Sequence, residues 1–446
     1  MKIYAPWEKA FDKIATPFEQ FVRAQTTTGL ILMLTTVVAV ILANTPFAYD
    51  YINFFHTKIN LEIGTWSISH SIHQWINDGL MSIFFFVIGL EIKRNILVGE
   101  LSNIKIAILP ILAAIGGMIL PALIFLGFNG DGAGAHGWGI PMATDIAFAV
   151  SALVLLGKRV STSLVMFLVA LAIVDDIGAV AVIAIFYTEQ IFLTPLYLAL
   201  FSFMVLLLFN RFGIHAVTPY FIVGLIMWLF LLESGIHAAI AGVISSMAIP
   251  SKPKYPPLDF SIHVKNRLEE YDSYPVATDH TMHERQKAIL QNIKDKVNSV
   301  SSPSARLEQS LHLPVSLVVI PLFALANAGI SIDFSSVSST IMEPVSLGII
   351  TGLILGKVVG IAGVSWLAIR LGIAQLPENT NMSQIFGVSF LGAIGFTMSI
   401  FIADLAFLSN EELLFQAKTG ILSASLFAGL FGFFWLKYIA KDSSKQ

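Results

Sequence analysis

The 446-residue sequence has no cysteine and little charge, with Asp, Glu, Lys and Arg together making up 12% of it. The first absence excludes disulfides and leaves the redox compartment unreadable. The second excludes an ordinary soluble domain, in which about a quarter of the residues are charged. A net charge of −3 is too small for a nucleic-acid binder. No Gly-rich phosphate loop of the Walker type is present, so nothing points to ATP as an energy source. Residues 1–23 carry Lys2, Lys9, Lys13 and Arg23 but no short apolar core followed by a cleavage site, and no cleaved signal peptide is expected.

What fills the chain instead is apolar: 56% hydrophobic residues, 34 Phe, 32 Gly and a mean hydropathy of +0.78. This is the composition of an all-α polytopic membrane protein. A membrane-crossing helix needs about 20 mostly apolar residues. That rule places spans at 24–45, 73–95, 104–127, 139–157, 163–187, 191–209, 217–233, 235–250, 313–331, 344–369, 384–407 and 414–438. Twelve spans put both termini on one side. Of the 26 Lys and Arg, Lys58 and Lys418 fall on the opposite side and Lys357 inside a span; all the others share the side of the termini. By the positive-inside rule that side is cytoplasmic. The expected organisation is a cytoplasmic segment 1–23, spans 1–8 over 24–250, a cytoplasmic loop 251–312, spans 9–12 over 313–438 and a cytoplasmic tail 439–446. Within this frame, residues 57–69 alternate around Glu62-Ile63-Gly64 and predict a small external β-hairpin. The loop 251–312 mixes both signs of charge and reads as a solvated linker with one surface helix.

A carboxylate at the centre of a membrane helix costs about 2.5–3.5 kcal/mol on insertion scales. Such groups usually mark an ion or proton path. The inventory at membrane depth is Asp78 and Glu91 in span 2, Thr144 and Asp145 in span 4, Asp175 and Asp176 in span 5, and Lys357 in span 10. Adjacent residues on a helix point about 100° apart, so the tandem aspartates cannot share one target. One of them therefore lines an aqueous cavity while the other meets a partner on a neighbouring helix. Lys357 is the economical candidate for that partner.

Breaks in the helices point to the same place. Pro141 precedes Thr144-Asp145 in span 4, and Gly392 and Gly395 flank the middle of span 11. These spans are the centres of two three-span groups, 104–187 and 344–438, a pattern that marks a transport site built by inverted repeats. Unwound backbone exposes helix ends carrying about half a unit of charge. Asp145 suits exposed N-termini and Lys357 exposed C-termini. Taken alone, the glycines are read equally well as close helix packing.

The stretches "PMATDIAFAVSALVLLGKRV", "FLVALAIVDDIGAVAVIAIFYT", "PLFALANAGISI", "GLILGKVVGI", "GAIGFTMSIFIADLAF", "WINDGLMSIFFFVIGLEIKR" and "AIGGMILPALIF" resemble, in order from about residue 24 to 438, the NhaA family of bacterial Na+/H+ antiporters. That family is itself an example of the inverted-repeat rule. The resemblance implies twelve helices with crossed, discontinuous helices 4 and 11, in the bacterial inner membrane. It implies export of Na+ or Li+ against H+ in the service of pH homeostasis, and a homodimer through the 57–69 hairpin. By the same likeness Asp176 is the central cation and proton carrier, and Asp175 is its neighbour at the site, paired with Lys357. Thr144 and Asp145 support the site at the helix-4 break. Asp78, Glu91, His237 and Glu308 belong to the entrance and pH-response region. The chain departs from the family pattern at Asn95, where an acid is common, at Gln309, where a His follows the acid, and in the length of 251–312. These departures bear on pH dependence more than on transport chemistry.

The chemistry of the residues agrees with this picture. Na+ is a hard cation, and a carboxylate with carbonyls or water supplies the oxygen ligands it prefers. Na+ and H+ then exclude one another from a single carboxylate, and a site that changes sides only when occupied exchanges them without a cofactor. At low pH the aspartates hold protons and Na+ cannot bind, so activity should rise with pH. If more than one group releases a proton per Na+, the cycle is electrogenic. The rivals are a Na+-coupled symporter, a channel and an intramembrane aspartyl protease. The protease needs facing aspartates in YD and GxGD contexts, which do not occur, and it has no use for Lys357. The chain is therefore expected not to be an enzyme.

Overall fold

The structure is a computed structural model and describes residues 25–63, 66–188, 190–255, 257–274, 283–330, 337–408 and 410–439. The expected N-terminal segment 1–23, Gly64 of the hairpin and tail residues 440–446 lie outside the described residues. Among the described residues, eight helices are long and apolar enough to cross a membrane, or ten if each of two bent pairs is one span. They are apolar all round rather than along one stripe, as expected of helices that meet lipid outside and other helices inside.

The chain opens with α1 (Gln25–Ala43), which turns by 111° into α2 (Ala48–His56). Strands β1 (Lys58–Ile63) and β2 (Trp66–Ser71) then pair antiparallel, with Lys58 opposite Ser71 and Glu62 opposite Ser67. A wide π turn at Trp75–Leu80 leads into α3 (Met81–Leu97), followed by α4 (Ile104–Asn129), which tolerates Pro110 and Pro121 inside it. Residues Ala133–Met142 wind as a 3-10 helix, and α5 (Ile146–Val154) resumes after a short extended link. Next come α6 (Thr162–Phe186), α7 (Leu193–Arg211), α8 (Val217–Ser234) and α9 (Ala239–Ala248). The polar stretch forms α10 (Pro257–Asp272) and α11 (Glu284–Val300). Beyond it, α12 (Pro303–Pro314) runs through a π turn into α13 (Ile320–Asn327).

The last third holds α14 (Val337–Met342), α15 (Pro344–Thr351) and α16 (Val364–Arg370). It continues with α17 (Met382–Gly392), α18 (Phe396–Ala406) and α19 (Glu411–Phe434). Lys357 sits between two π turns, Gly352–Gly356 and Val359–Gly363, that join α15 to α16. π turns often mark functional positions because they displace one side chain from the helical register.

Two of the twelve segments read from hydropathy are not among the crossing helices. Gly235 in the left-handed region (φ 81°) terminates α8, residues 236–238 are not helical, and α9 has only 10 residues. At about 1.5 Å per residue that is half a membrane thickness. The other is 73–95, where α3 has 17 residues and is entered through the π turn. In the opposite direction, the helix continued by α13 begins at Pro303, capped by the Ser302 hydroxyl, ten residues before the apolar run expected at 313. Hydropathy marks where lipid can reach, not where helical hydrogen bonding starts.

The centre is occupied by the interrupted elements. The stretch Ala133–Val154 is 78% buried, against 17% for α7 at the periphery. Phe85, Phe125, Phe323 and Phe401, all at 1% exposure or less, fill the space around them. The helix carrying Lys357 is drawn tight against α4 by glycines: a Cβ added at Gly116 would stand 2.5 Å from the Gly360 carbonyl oxygen. Backbone cannot yield as a flexible side chain can, so this contact requires glycine and fixes where Lys357 stands.

Candidate functional site

The tandem aspartates lie midway along α6, whose first turn is capped by the Ser161 hydroxyl accepting from the Leu164 amide. Their divergence around the helix sends them to different neighbours. The Asp175 carboxylate forms an ion pair with the Lys357 ammonium, both side chains fully buried. Lys357 also donates to the Thr144 hydroxyl at 2.8 Å. That hydroxyl stands 2.6 Å from Asp175 Oδ2 and 2.7 Å from the Gly392 carbonyl. One proton serves only one of them at a time, so Thr144 bridges the pair to the α17 terminus in either setting. Asp175 Oδ1 has no hydrogen-bond partner among the described residues.

Asp176, only 3% exposed, faces the other way. It lines a cavity of about 140 Å³ together with Asp145, Thr397, Glu91 and His312. Among the described residues none donates a hydrogen bond to its carboxylate, the reverse of the situation at Asp175. The cavity has room for about four or five waters at the volume each takes in the liquid. A desolvated carboxylate beside such a space can take a proton or a small cation, with water completing the coordination.

The interruptions in 133–154 and 382–406 lie against each other. Asp145 caps α5 by accepting from the Phe148 amide at 3.1 Å with Oδ1. Its Oδ2 accepts from the Thr397 amide at 3.0 Å and the Thr397 hydroxyl at 2.5 Å, at the start of α18. The Asp145 amide donates to the Ile394 carbonyl at 2.7 Å, and the Ser399 hydroxyl to the Ile140 carbonyl at 2.8 Å. One carboxylate thus serves the exposed N-termini of two helices, where negative charge is favoured. Gly395 belongs to this contact: a Cβ there would come within 3.2 Å of the Ala143 carbonyl oxygen. Pro141, inside the 3-10 stretch one residue before its end, stands against Gly352, the first residue of the π turn that precedes Lys357.

The remaining residues singled out in the sequence fall into two further contacts. Arg94 reaches Glu308 at 3.2 Å and Glu91 at 3.9 Å, which joins α3 to α12 at the rim of the cavity. Asp78, in the π turn, stands 3.8 Å from His237 Nε2. His237 sits in the non-helical link before α9, its ring edge-on to Phe401 at 5.3 Å. Asp78 and His237 do not line the Asp176 cavity.

Sequence reasoning passed over several residues. Thr397, directly after Gly395-Phe396, holds Asp145, and its place beside a helix break was the available signal. Asp404 in "SIFIADLAF" is 4% exposed and pairs with Lys418 at 3.0 Å. An acid inside so apolar a run carried the same signal as Asp78. Near it, His73 bonds Asn327 at 2.7 Å and Asn327 donates to Asn77 at 2.9 Å. Among the described residues, no group of three or more His, Cys, Asp or Glu could hold a resident metal ion.

The family model described as Na+/H+ antiporter 1 matches residues 19–436. The chain is 70% identical over 444 residues to the Na(+)/H(+) antiporter NhaA of Sulfurimonas denitrificans, with 100% of each chain covered. It is 48% identical over 440 residues to the Na(+)/H(+) antiporter NhaA 1 of Saccharophagus degradans, covering 98% of this chain and 95% of that one. To the Na(+)/H(+) antiporter NhaA of Dichelobacter nodosus it is 43% identical over 435 residues, covering 97% and 94%.

Proposed function

For a chain that belongs to the Na+/H+ antiporter 1 family, and that exchanges sodium for protons across a membrane, we propose that Asp176 is the carboxylate that carries either ion. The observation that carries this reading is the contrast within the tandem pair. Asp175 is already engaged by Lys357 and Thr144, whereas the Asp176 carboxylate faces a cavity and accepts no protein hydrogen bond among the described residues. In this reading Na+ or Li+ binds deprotonated Asp176 with help from water and nearby oxygens. A proton displaces it, and the two occupied forms present the site to opposite sides.

Asp175 and Lys357 hold the site's charge, and a second proton released from that pair would make the cycle electrogenic. Thr144 and Asp145 brace the crossing, with Pro141, Gly392 and Gly395 shaping the breaks. Glu91 and Glu308, tied by Arg94, and the Asp78–His237 contact belong to the entrance and to the pH response. Twelve spans, counted with the shorter segments at 73–95 and 235–250, then include two inverted repeats of three spans each, 104–187 and 344–438, with discontinuous spans 4 and 11. The termini and loop 251–312 face the cytoplasm of a bacterium whose inner membrane holds the protein. The 57–69 hairpin is external and contacts a second copy. Na+, Li+ and H+ are cargo; no cofactor takes part and no enzymatic step is required.

Proton efflux from acid-loaded inverted vesicles, on adding Na+, Li+ or K+, tests the assignment. Efflux driven by Na+ and Li+, and abolished in Asp176→Asn, supports it. Efflux that survives the substitution moves the ion to another residue.

A further inference from the structure

The cavity beside Asp176 is lined by hydroxyls as well as carboxylates, and the hydroxyls differ in what they are committed to. That of Thr397 gives its proton to Asp145 at 2.5 Å. Those of Thr28 and Ser316, residues only 9% and 7% exposed, make no hydrogen bond among the described residues. A buried hydroxyl in that state costs free energy unless water or a ligand meets it.

Ser316 stands apart from Thr28 in its backbone. It lies near the middle of the crossing segment Pro303–Asn327, in the π turn Val315–Val319. The Ile320 amide, four residues on, passes over Ser316 and donates to the Val315 carbonyl. The next amide would belong to residue 321, which is proline and has none. The Ser316 carbonyl is therefore without a helical donor, on the same residue whose hydroxyl is free. Inside a membrane, backbone freed in this way is tolerated where it is buried in protein or lines a wet cavity.

We propose that Ser316 is a ligand of the transported cation, its hydroxyl oxygen completing the coordination of Na+ or Li+ held by Asp176. The inference rests on the assignment of the ion to Asp176 and adds the neutral half of the site. A hard cation takes several oxygens, and one carboxylate supplies two at most. Asp145 is poorly placed to make up the number, because three donors already occupy its two oxygens. The Ser316 hydroxyl is committed to nothing and lines the same cavity as Asp176. It suits the other half of the cycle as well, since its oxygen accepts a hydrogen bond from Asp176 once that acid is protonated. Being neutral, it strengthens cation binding without adding a proton to the exchange.

The test uses the full-length protein. Ser316→Ala removes the oxygen and breaks no hydrogen bond among the described residues, so thermal stability in detergent should match the native chain. Na+-driven proton efflux from inverted vesicles, at alkaline pH where protons compete least, gives KM and maximal rate. Isothermal titration calorimetry of Na+ and Li+ into purified protein gives affinity without turnover. Ser316→Ala should raise KM for Na+ about five- to tenfold and weaken binding by the same factor, with the maximal rate within about twofold of native. Ser316→Thr, which restores a hydroxyl at the same carbon, should recover most of the loss. KM and affinity within about twofold of native in Ser316→Ala overturn the proposal. So does a fall in maximal rate alone, or a loss that Ser316→Thr shares in full, since either marks packing rather than ligation. Asp176→Asn, measured in parallel, separates this inference from the reading beneath it. Exchange lost in Asp176→Asn with native affinity in Ser316→Ala leaves Asp176 as the carrier and removes Ser316. Exchange kept in Asp176→Asn with affinity weakened in Ser316→Ala keeps Ser316 as a ligand and moves the charge to another acid.

Discussion

Replacing Lys357 by Met keeps an unbranched side chain of similar length and removes the cation that faces Asp175. Both members of the pair have no solvent exposure, so water cannot take over the role of the ammonium. Asp175 is left with the Thr144 hydroxyl, while its Oδ1 remains without a partner among the described residues. Breaking a buried pair from one side typically costs about 3–5 kcal/mol, because the orphaned charge stays in a medium that cannot solvate it. Asp175→Asn should cost a similar amount for the converse reason. The double variant Asp175→Asn/Lys357→Met removes both charges, and uncharged replacements of buried pairs are often near neutral. The double should therefore cost less than the two singles together by about 6 kcal/mol or more, and be more stable than either single. The Lys357→Met loss should also shrink as pH falls, since a protonated Asp175 no longer needs the ammonium. Denaturing-detergent titration of the purified proteins, followed by tryptophan fluorescence at two pH values, measures each arm. Losses that add to within about 0.5 kcal/mol would show that the two groups share no energetic coupling, and the account of the site built on their pairing would fail.

Three further outcomes are expected. Gly116→Val should destabilise by about 1–3 kcal/mol and lower exchange, because its Cβ meets the Gly360 backbone and shifts the helix that holds Lys357; unchanged stability in the same titration would contradict the close approach. Arg94→Gln should change stability by less than about 1 kcal/mol, since Arg94 is 54% exposed, yet displace the pH profile of exchange by freeing Glu91 at the cavity rim. An unaltered pH profile would remove Arg94 from the response. Exchange by the native chain should rise between pH 6.5 and 8.5, because a proton and Na+ compete for Asp176 and raising pH removes the competitor. Maximal sodium-driven efflux in acid would refute this.

What the order of residues determined by itself was largely what lipid determines. Apolar runs must close their backbone hydrogen bonds as helices, so most span limits were legible to within a few residues. The exceptions have local causes: Gly235 stops α8 and leaves α9 short, and the polar first turns of α12 are helical outside any hydropathic window. The charges buried in those runs were equally legible, because apolar surroundings leave few benign explanations for an aspartate. Asp404 and Thr397 were within reach of the same reasoning and were passed over.

Which groups meet across the molecule was decided only by tertiary structure. The angle between adjacent helical residues required Asp175 and Asp176 to part, but the residues alone left open which of them turns to Lys357. Packing decides it, through the Gly116–Gly360 approach that presses the lysine helix onto α4 and through the two interrupted segments that meet at Asp145. The same is true of Arg94, whose distances to Glu91 and Glu308 join positions more than two hundred residues apart in the chain. Burial in lipid acts on each residue separately and leaves its mark in the sequence. Pairing depends on two surfaces at once, and no single stretch of sequence contains both.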